Sequence, residues 1–140
     1  MPKAPAKSVA VSQYMQHKPV TVTADMNIYE ASQRILEHKI SGVLVVDKDN
    51  RLVGMLSEVD CLRALVTSVY NGSDPGGALV RDVMTADVEV NGPNDDIISV
   101  ASSMLDKHHR RRPVVLDGKL VGQVTCRQIL GAFKDFNGTN

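Results

Sequence analysis

Apolar and polar positions along the chain follow one order of patterns and then follow it again. Residues 9–15 carry Val9, Val11 and Met15 at the spacing of a short helical turn, and residues 19–22 are rich in β-branched side chains, as a short strand would be. Asn27 then precedes Ile28, Ala31, Ile35 and Leu36, with Glu30, Gln33, Arg34 and Glu37 between them, which predicts an amphipathic helix capped by Asn27 and running to about Lys39. Two apolar runs, 42–46 and 52–56, flank the polar stretch 47–51 and read as adjacent antiparallel strands. Ser57 is a good N-cap for a second helix, expected to bury Val59, Leu62, Leu65 and Val66 and to end at Asn71-Gly72.

The same series returns 69 residues later. Val11-Ser12-Gln13-Tyr14-Met15 matches Val80-Arg81-Asp82-Val83-Met84, and the offset holds for Ile28 with Ile97, Leu36 with Leu105, and Val45-Val46 with Val114-Val115. It becomes 68 at Gly54 and Gly122, a single-residue slip of the kind turns tolerate. The second copy predicts a strand at 88–90, a helix from Ile97 to about His108, a hairpin of strands 112–116 and 120–124 around Asp117-Gly118, and a helix over 125–133. Residues 71–79 hold Asn71-Gly72-Ser73-Asp74-Pro75-Gly76-Gly77, a cluster of turn formers, and read as a linker. The expected organisation is a disordered tail (1–7), repeat 1 (8–70), the linker (71–79), repeat 2 (80–134) and a frayed tail (135–140). Each repeat, with two helices and three short strands, has one apolar face too many to stand alone in water. The expectation is therefore an α+β fold, sandwich-like, of two pseudo-twofold β-α-β-β-α units packed through their sheets, with clefts where the units meet.

Composition narrows the function more than the fold. Lys plus Arg and Asp plus Glu each number 16 in the 140 residues, so no overall field draws the chain to nucleic acid or an anionic membrane. Aromatics are 4% with no Trp, leaving few platforms for stacking bases. No run reaches the roughly 18 apolar residues of a membrane span, and a soluble cytoplasmic protein is expected. Cys61 and Cys126 form no CxxC and stand at different places in the two copies, so they are expected as reduced, largely buried thiols rather than a zinc site or disulfide. No nucleophile with a base at a recognisable spacing and no GxxxxGK[ST] loop is present, which argues against an enzyme.

The repeat puts two candidate sites on the chain. Gly54-Met55-Leu56-Ser57-Glu58-Val59-Asp60 returns as Gly122-Gln123-Val124-Thr125-Cys126-Arg127-Gln128: a strand ends in a hydroxyl residue, and three residues on stands a polar side chain, Asp60 or Gln128. Asp60 brings two acceptor oxygens, enough for two neighbouring hydroxyls; Gln128 brings one and no charge. Hydroxyl-x-x-Asp is also a capping-box-like helix start, and the two roles are compatible in part. The densest basic stretch, His108-His109-Arg110-Arg111-Arg112, precedes Pro113 and reads either as a solvated helix end or as an anion-binding group. By strand alternation Arg112 should point away from Arg110 and Arg111, toward solvent or an interface.

Val80-Arg81-Asp82-Val83-Met84, the strand opening Arg112-Pro113-Val114-Val115 and Gly54-x-Leu56-Ser57-x-x-Asp60 together resemble a tandem pair of CBS domains, the Bateman module. The resemblance covers nearly all of 8–133. It implies a regulatory module with no tightly bound cofactor, reversibly binding AMP, ADP, ATP, S-adenosylmethionine or NAD. It also implies a homodimer, and signalling to an unidentified effector protein. In such pairs the hydroxyl-x-x-Asp element of one repeat holds the ribose, and the other repeat supplies its short strand and the segment entering its Pro-Val strand. Carried over, the resemblance implies a main site of Ser57, Asp60, Val88, Val90, Arg110 and Arg111. A second, weaker or empty site would use Thr21, Val22, Ile40, Ser41, Thr125 and Gln128.

Overall fold

The computed structural model of the chain describes residues 9–74 and 76–136. In chain order it has a 3-10 turn at Val11–Gln13, β1 (Gln16–His17), β2 (Thr21–Thr23), α1 (Ile28–Glu37), β3 (Gly42–Val46), β4 (Leu52–Ser57) and α2 (Glu58–Asn71). After these come α3 (Val80–Val83), α4 (Ile97–Lys107), β5 (Arg111–Leu116), β6 (Lys119–Thr125), α5 (Cys126–Gly131) and α6 (Phe133–Phe136). The expected tail 1–7 and residues 137–140 lie outside the described residues.

Two compact units emerge, and they do not follow the repeat boundaries. Of the described residues, those within 19–88 form one; residues 9–18, with 89–136, form the other. Each unit thus takes in the opening segment of the other repeat.

In the 19–88 unit the sheet order is β2-β3-β4, with β2 parallel to β3 and β3 antiparallel to β4. A parallel pair needs a crossover, which α1 provides. Asn27 starts α1 by accepting from the Glu30 N–H at 2.8 Å, as its sequence position predicts. Ile28, Ala31 and Ile35 face a core of Val22, Val43, Val45 and Leu56, whereas Leu36, at the margin of the apolar stripe, is exposed. The Asp47 carboxylate accepts from the Asp49 and Arg51 N–H groups and closes the turn between β3 and β4.

The other unit repeats the plan with order β1-β6-β5 over a core of Val11, Ile97, Val100, Met104, Val114 and Val124. Its hairpin turns at Asp117 (φ 53°) and Gly118 (φ 82°), the left-handed pair that a two-residue type I′ turn requires. The strand expected at 88–90 is absent. One parallel bridge forms instead at Asn91, whose N–H donates to Pro113 O at 3.0 Å and whose carbonyl accepts from Val115 N at 2.8 Å. Carrying that register back to Glu89 would need an N–H on residue 113, and proline has none. The last helix also differs from the expectation: it breaks after Gly131 and resumes as α6, and Phe136 packs against the core rather than fraying.

The opening segments explain two glycines. Thr85 and Met55 exchange both backbone hydrogen bonds at 2.9 Å, laying the segment after α3 along β4. At the corresponding place β1 pairs with β6, Gln16 opposite Gln123, and the two side chains hydrogen-bond at 3.0 Å. A Cβ on Gly54 would stand 2.6 Å from Met84 Sδ and 2.8 Å from Thr85 O; one on Gly122 would stand 2.7 Å from both Met15 Sδ and Gln16 O. Since the backbone oxygens cannot swing aside as the methionine tips can, Gly54→Ala and Gly122→Ala should each cost about 1–3 kcal/mol in urea unfolding. A Cβ at Gly131 meets nothing within 4 Å, so Gly131→Ala should cost nothing in the same measurement.

Candidate functional site

The helix starts at Ser57 and Thr125 both close as full capping boxes. Ser57 Oγ accepts from Asp60 N and Asp60 Oδ2 accepts from Ser57 N, each at 3.0 Å. Thr125 Oγ1 accepts from Gln128 N at 3.2 Å, and Gln128 Oε1 accepts from Thr125 N at 3.0 Å. The cap occupies the same position in each copy but leaves different chemistry over. Asp60 retains Oδ1, an anionic acceptor with Arg63 Nη1 3.5 Å away, and its side chain is 18% exposed. Gln128 has engaged its only side-chain oxygen in the cap, so beyond that uncharged oxygen what remains is an NH2 group that donates. Beside Asp60, burial first and the Asp60 charge second push the Cys61 thiol up, keeping it protonated.

Within each unit the segment entering the middle strand lies against the adjoining helix start. Glu58 N donates to Ser41 O at 2.9 Å and Gly42 stands opposite Ser57; Cys126 N donates to Arg110 O at 3.0 Å and Arg111 stands opposite Thr125. Arg110 and Arg111 are therefore neighbours of Thr125 and Gln128, and Ile40 and Ser41 are neighbours of Ser57 and Asp60. The sequence expectation assigns each of these segments, in addition, to the helix start of the other repeat. Of its other members, Thr21 is half-buried on β2, Val22 is closed off in the core, and Val88 and Val90 lie in extended backbone outside any strand. Cys126, expected to be buried, is exposed.

Arg112 is a second correction. Only 1% exposed, it lies inside its unit, and its repeat counterpart is the buried Val43. Its Nη1 donates to Ser103 Oγ at 3.0 Å and lies 3.5 Å from Asn91 Oδ1, Nη2 meets His109 Nδ1 at 2.8 Å, and Nε has no partner. Alternation did turn it away from its neighbours, but toward α4 rather than solvent. Nearby, Lys107 Nζ reaches both Glu89 oxygens at 2.7 Å, and that bond, helped by the Lys107 and Arg112 charges, holds Glu89 below the usual carboxylate range.

A feature that the sequence reading missed is an apolar face on the 19–88 unit. Val59, Leu62, Leu65 and Val66, expected to be buried, are all exposed, and Val69 and Tyr70 extend their stripe along α2. Only Cys61 of that helix is buried. Between α1 and α2 runs a groove of about 310 Å³ lined by Tyr29, Ile35, Leu36, Cys61, Leu62 and Leu65. The periodicity was legible; what covers the stripe was not. In the other unit Ile98, Leu105, Leu130 and Phe133 are exposed at the matching repeat positions.

A repeated arrangement of helix, hairpin and capped helix start, with hydroxyl-x-x-Asp in one copy and hydroxyl-x-x-Gln in the other, defines a tandem of two small domains. A family model for the CBS domain matches residues 11–67 and 80–135, and the chain belongs to that family. An uncharacterized protein of Methanocaldococcus jannaschii is 30% identical over 130 residues, covering 91% of this chain and 45% of its own length. Another, from Methanopyrus kandleri, is 29% identical, covering 89% and 62%. The chain thus spans about half to two-thirds of these two curated relatives. Among solved structures, CBSX2 of Arabidopsis thaliana in complex with AMP is 27% identical with a TM-score of 0.80, covering 91% of this chain and 98% of that one. The CBS domain of a CBS domain-containing membrane protein from Sphaerobacter thermophilus is 30% identical with a TM-score of 0.74, covering 89% and 87%. Among the described residues, no helix is long and apolar enough to cross a membrane.

The capping boxes make a direct prediction. Ser57→Ala and Thr125→Ala should each lower stability by about 1 kcal/mol in thermal or urea unfolding, whatever the chain binds.

Proposed function

We propose that this chain is a regulatory module that binds an adenosine-containing ligand reversibly, with Ser57 and Asp60 receiving the ribose. The observation that carries this reading is Asp60 itself: with one oxygen fixed in the capping box, it still presents a second anionic acceptor at the start of a 14-residue helix. A ribose diol needs such an acceptor, as the acidic residue of dinucleotide folds illustrates. Arg110 and Arg111 are the proposed phosphate contacts, their guanidiniums offering forked donors, with Val88 and Val90 against the base. Thr21, Val22, Ile40, Ser41, Thr125 and Gln128 belong to a weaker second site, because Gln128 brings no charge and its single side-chain oxygen is already engaged in the cap. A relative crystallised with AMP, 27% identical and matched over nearly its whole length, supports AMP as the first ligand to try. ADP, ATP, S-adenosylmethionine and NAD share the adenosine part. The output goes to an effector protein, and the ligand acts by binding one state of the module better than another.

A thermal-shift panel of these five compounds tests the reading. At about a hundred times its dissociation constant a ligand adds roughly 2.7 kcal/mol, which raises the midpoint by several degrees. Asp60→Ala should abolish that shift and Gln128→Ala should leave it nearly intact. No shift at millimolar ligand, or equal losses from both variants, would sink it.

The exposed apolar faces favour a second reading, a dimerisation or docking module, and a homodimer is compatible with ligand binding. Leu62→Glu with Leu65→Glu should convert a dimer into monomer in sedimentation equilibrium. A wild-type chain that sediments as a monomer would leave those faces for another protein.

A further inference from the structure

Arg112 is a cation enclosed at a position where the other repeat carries valine. Its polar partners within 3.5 Å are neutral: the Ser103 hydroxyl, the Asn91 amide oxygen and the His109 ring. Its Nε is unsatisfied, and the nearby carboxylate, Glu89, is engaged by Lys107. Burying a guanidinium in this way weakens the fold relative to an apolar side chain of similar size. Core packing alone therefore does not account for an arginine here.

What the arginine does hold is the short connection from α4 to β5. His108 ends α4 in the left-handed conformation (φ 59°), His109 follows, and Arg110 and Arg111 come next. A guanidinium has no acceptor, so in the 2.8 Å contact His109 Nδ1 must be the unprotonated ring nitrogen, with the proton on Nε2. The same residue is held from the opposite side, where Cys126 Sγ donates to His109 O at 3.6 Å.

We propose that Arg112 is a positioning residue: through His109 it latches the 108–111 connection and so sets Arg110 and Arg111 for an anionic ligand group, and a second proton on the His109 ring opens the latch. Protonation turns the acceptor into a donor and places imidazolium against guanidinium. The other charged groups around it are Lys107 on α4, Glu89 from the segment before Asn91, and His108, Arg110 and Arg111 on the connection itself; Cys126 on α5 faces it as a thiol. Of these only Glu89 is anionic, and its Lys107 contact limits what it can offset.

The assignment of Arg110 and Arg111 to phosphate rests on the function proposed above, and the test separates the two. With AMP and adenosine as probes, Arg112→Met should fold at least as stably as wild type, weaken AMP about tenfold and change adenosine less than about twofold. His109→Leu should weaken AMP and spare adenosine in the same way, at some cost in stability because the buried Nη2 loses its acceptor. In His109→Asn the amide oxygen can replace Nδ1 as acceptor, so AMP affinity should return to within about twofold of wild type and lose the extra weakening on acidification that wild type shows. Equal losses of AMP and adenosine, or a wild-type response from His109→Leu, would overturn the latch. If wild type binds neither probe, the function reading fails and the latch is read by NMR alone. Nδ1 should then be unprotonated at alkaline pH, and Arg112→Met should shift the amides of residues 108–111 selectively. A protonated Nδ1 or unmoved amides would reject it.

Discussion

Much of the molecule depends on a close backbone approach that occurs once in each unit. Where Thr85 lies along β4 and Gln16 along β6, the facing strand carries glycine, and any Cβ there would fall inside van der Waals contact with a main-chain oxygen. Each contact extends the outer strand of a three-stranded pattern and gives its edge a partner. It also binds into one unit segments that belong to different repeats, since β1 precedes the first repeat's strands and yet pairs with β6. The Val-x-x-x-Met element and the distant glycine are thus two halves of one contact, Met84 with Gly54 and Met15 with Gly122. This accounts physically for two elements of the family resemblance that look independent in the sequence.

The same contact shows where sequence reading succeeds and where it stops. Local chemistry was legible: Asn27, Ser57 and Thr125 cap the helices assigned to them, Asp117-Gly118 makes its turn, and the 69-residue repeat places both hairpins and the helices that flank them. Properties that depend on a partner in space were not. Residues 88–90 have the right composition for a strand, but the neighbour they need begins its ladder at a proline. The stripe on α2 has helical periodicity, but periodicity says which residues share a face and nothing of what lies against it. Exchange of the opening segments between repeats leaves no local signature at all. The candidate site divides along the same line: Ser57 and Asp60 could be read from helix-start chemistry, whereas the neighbours of Arg110 and Arg111 are set by strand register.

The two copies have diverged in complementary directions. One helix start carries the carboxylate, with Ser41 beside it; the other carries the amide, with Arg110 and Arg111 beside it. The capping box tolerates either choice, because a Gln oxygen caps as well as a carboxylate oxygen, at 3.0 Å in both cases. Stability therefore places little constraint on the identity of the residue at this position, leaving it available to ligand chemistry. A carboxylate next to two arginines in one unit would neutralise both for any outside ligand. Separating them places an acceptor for hydroxyls in one unit and donors for anions in the other.

Arg112 extends that divergence into the interior. At Val43 the first repeat fills its core with a side chain that needs nothing, and the connection before it contains Ile40, which packs on the same core. At Arg112 the second repeat encloses a charge, and the connection before it holds exposed arginine and histidine side chains that no apolar contact can fix. An apolar residue at 112 would improve the packing and leave that connection to fray, since a basic loop has no hydrophobic means of being ordered. A buried guanidinium with neutral acceptors on α4, on the connection and at Asn91 ties three separate pieces of chain to one planar group. Order in the basic connection is thus obtained from hydrogen bonds inside the unit.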